Sequence, residues 1–335
     1  MYGGQSWVRN GTQIPFQVCN HYLRIADFTK ARDLSDSSIL SAKDIPGNIT
    51  IYQQGAFWVD EKNVYVVGES ANDEPWLSRH GTTYTAGTVF PYSLESEEWD
   101  SEPAVQPNSG SEVTDSFCCG AFEYNAAYGR AYFLSGINGA GARRLYPDTV
   151  PGYVSPAGGA IFGNGNLFTF DTANFRWTNV ATDTQLTTTG TEGGQFVYLP
   201  GIEAEKGGVA VIFGGQRRDT QDMESMRKVL VYNSATSTFY GQGTTSDGDF
   251  PKGRMQFCAV AASAPDNSSH NIFMYAGESP DATPTAYSDM RILSVPSFRW
   301  LKLDVDSPAK KALGCTLVGG KYMFTYGGVS AGWER

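Results

Sequence analysis

Val209-Ala210-Val211-Ile212-Phe213-Gly214-Gly215-Gln216 is an apolar run, rich in β-branched residues, that stops on two glycines before a polar stretch. Such a run suits a buried strand better than a helix. The same ending recurs at Tyr2-Gly3-Gly4-Gln5, Val66-Val67-Gly68-Glu69, Leu134-Ser135-Gly136-Ile137, Tyr275-Ala276-Gly277-Glu278 and Tyr326-Gly327-Gly328-Val329. The second glycine is kept in all six copies (Gly4, Gly68, Gly136, Gly215, Gly277, Gly328), at separations of 64, 68, 79, 62 and 51 residues. The first gives way to Val67, Ser135 and Ala276. A position that keeps glycine beside one that drifts needs positive φ or a close backbone approach at the strand end.

Working outward, a small-residue-rich apolar strand precedes each complete ending: residues 55–59, 119–122, 194–198, 257–261 and 313–317. The second strand then runs into the glycine. After a polar loop comes a third strand, at residues 90–93, 168–171, 229–233 and 290–294. Its last residue is Ser93, Asp171, Asn233 or Ser294, and an aromatic follows six positions later: Trp99, Trp177, Phe239 or Trp300. Ser, Asp and Asn satisfy backbone donors in tight turns, and the aromatic anchors an outer fourth strand. Residues 23–27 read as a third strand in the first copy, without the aromatic.

Four short antiparallel strands repeated about an axis make an all-β propeller. Helical periodicity is scarce, and Gln221 to Lys228 reads as a loop turn. The 335 residues, with 38 Gly, 18 Tyr and 19 Phe, suit one all-β domain spanning 1–335. About six four-stranded repeats are expected, the first and last incomplete. Copy one begins at its glycines, and copy six stops at Gly332-Trp333-Glu334-Arg335 before any third strand. Either both ends are truncated, or the two part-copies share one composite blade.

The doublet, the later Tyr or Phe and the closing Trp resemble Kelch repeats over nearly the whole chain. Leu34-Ser35-Asp36-Ser37-Ser38 and Val295-Pro296-Ser297-Phe298-Arg299-Trp300 further resemble fungal Kelch-repeat proteins, whose propeller is akin to the central domain of galactose oxidase. The resemblance implies a non-catalytic binding propeller, the glycoprotein ectodomain of a cell-surface or membrane-anchored protein that recognises a protein or cell-wall glycan. A carbohydrate-active or metal-dependent propeller enzyme and a cytoplasmic Kelch scaffold stand as alternatives, because the fold hosts unrelated activities.

A net charge of −10 argues against nucleic acid as the main partner. There is no run of eighteen apolar residues, so no membrane contact by this chain itself is expected, and the first residues do not read as a signal peptide. No phosphate loop or C-x-x-C pair occurs, and Gly328-Val329-Ser330-Ala331-Gly332 lacks the helix that a nucleophile elbow needs. His21, His80 and His270 are scattered, which speaks against copper. Glu69 and Asp73 fit the first step of a nitrile-specifier-type iron motif, but Leu77 interrupts it. No catalytic residue, cofactor or metal is therefore assigned.

Binding normally resides on loops held by a rigid scaffold. The long loops between second and third strands offer Trp76, Tyr84, Arg143, Arg144, Tyr146, Arg217 and Arg218 as candidate anchors, since aromatics and arginine dominate hot spots. Each reads equally well as an ordinary loop-packing residue. The sequons at Asn10, Asn48 and Asn267 are candidate glycosylation sites and lend mild support to secretion. Cys119, Cys258 and Cys315 hold matching places in first strands and are expected to be packing residues.

Overall fold

The computed structural model describes residues 5–8, 16–19, 22–29, 39–46, 49, 52–53, 55–67, 70–71, 89–100, 119–134, 136–138, 162–163, 167–180, 191–202, 208–217, 220–280 and 286–330. Among them the regular structure is β, apart from 3-10 turns at Ile39 and at Ala126–Tyr128.

Gln195–Leu199, Val209–Phe213, Lys228–Asn233 and Thr238–Gly243 form an antiparallel meander with strands in sequence order. Cys258–Ser263, His270–Tyr275, Met290–Val295 and Arg299–Leu303 repeat it, and Thr245–Ser246 adds a parallel edge beside Arg299–Leu303. Ala121–Asn125, Arg130–Leu134, Leu167–Asp171 and Arg176–Val180 form a third such sheet. Ala56–Val59, Asn63–Val67 and Phe90–Ser93 make a fourth, extended by a bridge between Tyr92 and Trp99. These four blades are repeats two to five of the sequence. Tyr22–Ala26 pairs with Leu40–Asp44, and Lys310–Val318 with Tyr322–Ser330; each is a two-stranded sheet.

The turn chemistry follows the spacing. Asp171 Oδ1 accepts from the amides of Ala173 and Asn174 at 2.9 and 3.3 Å. Asn233 Oδ1 accepts from Ala235 and Thr236 at 2.9 and 3.3 Å. Ser93 Oγ accepts from Ser96 N at 3.2 Å, and Asp27 Oδ1 from Thr29 N at 2.9 Å. Four residues past Ser93, Asp171, Asn233 and Ser294 the backbone is left-handed: Glu97 (φ 56), Phe175 (φ 54), Ser237 (φ 53) and Phe298 (φ 48). Two residues later comes the aromatic. Trp177, Phe239 and Trp300 are buried, and Trp300 Nε1 donates to Met226 O at 2.9 Å.

The chain divides into two compact units, residues 1–119 with 137–162 and 170–179, and residues 120–136 with 163–169 and 180–335. In the first, Leu23, Ile45, Ile49, Val64, Val66, Phe90 and Tyr92 form a core. In the second, Tyr132 stacks on Phe196 with centroids 5.7 Å apart, and Phe213, Phe257 and Trp300 pack together between two blades. Burial of such faces, at about 25 cal/mol per Å² of apolar area, drives blade stacking.

Adjacent blades of the second unit are also joined by main-chain bonds near their inner strands. Gly136 N donates to Thr191 O at 2.8 Å, Gly215 N to Arg254 O at 2.8 Å and Gly277 N to Lys310 O at 2.9 Å. Beside them, Gln256 N donates to Gly193 O at 2.8 Å, and Ala312 N to Gln256 O at 2.9 Å. The expectation of positive φ holds at the four described copies, where Gly136, Gly215, Gly277 and Gly328 have φ of 97, 96, 97 and 85; Gly4 and Gly68 lie outside the described residues.

The cysteine expectation is corrected. Cys258 and Cys315 form a disulfide between the first strands of two successive sheets, with Cα atoms 5.8 Å apart. The matching places that suggested packing residues bring the two Sγ atoms together, because first strands of neighbouring sheets lie side by side. Cys119 stands before its strand, at φ 61, rather than within it.

Candidate functional site

Strand direction assigns the connections of the blades in the second unit to two ends. First strands start, and second strands finish, at one end; this loop end collects the second-to-third loops and the linkers between blades. The opposite turn end holds the tight hairpins. In the 258–303 blade, the pairs Cys258–Tyr275 and Tyr275–Met290 mark the loop end, and Ser263–His270 marks the turn end.

The loop end of that blade carries a built charge network. Arg254, 1% exposed, sits in the linker before the first strand. Its Nη1 donates to Asp289 Oδ1 at 2.6 Å and Ala276 O at 2.9 Å, its Nη2 to Asp289 Oδ2 at 3.3 Å, and its Nε to Lys252 O at 3.1 Å. Its guanidinium lies 4.1 Å from the centroid of the Tyr287 ring. Arg291 Nε also donates to Asp289 Oδ2, at 2.8 Å, and its Nη1 to Asp249 O at 2.9 Å. Burial pushes the Asp289 carboxyl upward, but the hydrogen bonds and charges of Arg254 and Arg291 outweigh it and hold the group below the usual carboxylate range. A carboxylate shared by two arginines is ionised and fixed in place.

Around this network, Lys311 Nζ meets Glu278 Oε2 at 2.7 Å, and Tyr287 exchanges backbone bonds with Gly277 and Lys310. The second-to-third loop of the blade is thereby tied to the linkers on both sides. On the outer flank, Ser246, Asp247, Gly248, Asp249, Arg291, Leu301 and Lys302 line an open recess of about 320 Å³. Fixed loop ends with both charge signs and a shallow recess suit recognition of a polar surface. Among the described residues, no three His, Cys, Asp or Glu side chains group as metal ligands would.

Arg217 lies in the neighbouring loop, where Gln216–Arg217 pairs with Thr191–Glu192. Arg217 N donates to Asp222 O at 2.8 Å, its carbonyl accepts from Gln221 N at 3.0 Å, and the residue is half-buried. Trp76, Tyr84, Arg143, Arg144, Tyr146 and Arg218 lie outside the described residues, as do Asn10, Asn48, His21 and His80. Asn267 is described, at the turn end, away from the network. His270 is buried with its Nδ1 2.7 Å from Ser263 Oγ, and burial lowers its pKa. Arg254, Asp289 and Arg291 carry no recurring spacing in the sequence.

No family model matches the chain. A Kelch repeat-containing protein of Arthroderma benhamiae is 34% identical over 140 residues, covering 40% of this chain and 20% of that relative. The matched part is thus a minor share of the relative's length. Added to the four-stranded blades, the left-handed glycine ends and the turn-to-aromatic spacing, this similarity shows that the chain is, in fold, a Kelch-type β-propeller.

Proposed function

We propose that this chain is a non-catalytic interaction propeller of a fungal surface or secretory-pathway protein, one domain over residues 1–335, docking a protein or wall glycan on its loop end. The observation that carries the reading is the Arg254–Asp289–Arg291 network, which fixes a loop while leaving polar groups at its rim. Kelch propellers generally mediate protein interactions, and the similarity to a Kelch repeat-containing protein supports that role. The disulfide supports an oxidising compartment, where such bonds persist.

Lysine footprinting on the protein captured with its native partner tests this. Lys252 and Lys302, exposed at the loop end and outer flank, are expected to lose amine reactivity in the complex. Lys321, exposed in the turn between Val318 and Tyr322, is expected to keep it. Protection of Lys321 with Lys252 and Lys302 unchanged overturns the docking face. Release of cleaved or oxidised sugar from a bound wall glycan overturns the non-catalytic reading.

A further inference from the structure

The hairpin turn between Cys258–Ser263 and His270–Tyr275 carries the triplet Asn267-Ser268-Ser269. Its geometry is closed by other groups. Asn267 N donates to Ala264 O and Ala264 N to Ser269 O, both at 2.9 Å. Asp266 Oδ1 accepts from Ser268 N at 3.0 Å and from Ser268 Oγ at 2.7 Å. None of these bonds uses the Asn267 side-chain amide. The residue is exposed, at φ 56.

The amide lies over Gly201, an exposed glycine in the corresponding turn of the preceding blade. A β-carbon at Gly201 would stand 2.4 Å from Asn267 Nδ2. The side chain therefore packs against the bare backbone of Gly201, while the residue stays exposed. A second, independent feature of the same blade is the Cys258–Cys315 disulfide. Disulfide formation and transfer of lipid-linked oligosaccharide occur in the same oxidising compartment.

We propose that Asn267 carries an N-linked glycan. This rests on the secretory reading above and adds the site. The Asn267 Nδ2 nitrogen attacks the anomeric carbon of a lipid diphosphate-linked oligosaccharide. A C–N bond forms, the C–O bond to the diphosphate breaks, the lipid diphosphate leaves and the amide loses one proton to a base. The glycan covers the turn end. Asn267 stands at the opposite end of its blade from the Arg254–Asp289–Arg291 network, so this glycan leaves that network open to a partner.

The test uses the protein purified from its native host. Trypsin releases residues 255–291, a peptide with Asn267 as its one acceptor and with Cys258. Peptide-N-glycosidase in heavy-oxygen water is expected to convert Asn267 to labelled Asp, in a peptide still linked to Cys315. The Asn267→Gln and Ser269→Ala variants are each expected to lose one glycan from the intact mass while still being secreted. Bare Asn267 in a disulfide-linked peptide overturns the glycan and leaves the secretory reading standing. Bare Asn267 with free Cys258 and Cys315 thiols overturns both.

Discussion

At the residue scale, the chain repeats a conformation more faithfully than it repeats letters. The position before the kept glycine is left-handed in the last three described copies, whether it is Gly214 (φ 70), Ala276 (φ 65) or Gly327 (φ 67), whereas Val67 is plain strand. At 276 the chain carries a buried methyl group in that left-handed conformation. It is not tolerated next door. A β-carbon on Gly277 would stand 2.7 Å from Phe257 Cβ and 2.9 Å from Met255 O, at φ 97. Gly277→Ala is therefore expected to cost about 2–4 kcal/mol, from the left-handed penalty and from overpacking. Gly243→Ala, with nothing within 4 Å, is the control and should stay within about 0.5 kcal/mol. Urea unfolding of the two variants reads the difference, and equal midpoints would contradict the close-approach argument.

At the scale of the element, the first strands are where neighbouring blades press together, and one of them carries a carboxyl group. Glu123 lies in Ala121–Asn125. Burial pushes its pKa up to about 7 from 4.5, against partial relief from the backbone amides of Tyr124 and Tyr198. A raised pKa means that the folded state holds the proton more tightly than the unfolded chain. The stability this confers is fully present below pH 4.5 and is lost as pH rises through about 7. Glu123→Gln keeps the shape and drops the charge, so it should raise the melting temperature at pH 8. Its advantage should vanish below about pH 4.5. A constant offset across that range would place the carboxylate in solvent. The second strands were legible in the sequence because each ends on a glycine that no other residue replaces, and the third because Asp171 and Asn233 announce their own turns. The residues entering the first strands were not. Gly193, Gln256 and Ala312 share φ of 67, 55 and 53 and a common bonding role, yet no side-chain chemistry unites them. The Arg254–Asp289 pair escaped for a related reason. Its members are 35 residues apart, and only blade geometry brings them to 2.6 Å.

For the whole molecule, the disulfide is the strongest departure from what composition implied. Cys119, Cys258 and Cys315 read as small apolar packing residues, and only the proximity of two first strands sets Cys258 and Cys315 apart. Closing a loop of 57 residues restricts the unfolded chain by about 4 kcal/mol in the chain-entropy description. The Cys258→Ser/Cys315→Ser double variant should lose about that much in denaturant unfolding, and reductant should destabilise the wild type but not the variant. An unchanged midpoint would show that the thiols are not joined. The bonds from Gly215 to Arg254 and from Gly277 to Lys310 act along the same seam without any side chain. A seam stitched from amides and carbonyls keeps no record of the letters on either side of it. Copies of such a unit can be duplicated and left to drift, with part of each join carried by backbone whatever the side chains become. The residues freed from that task become raw material on which selection can write a different surface in every copy.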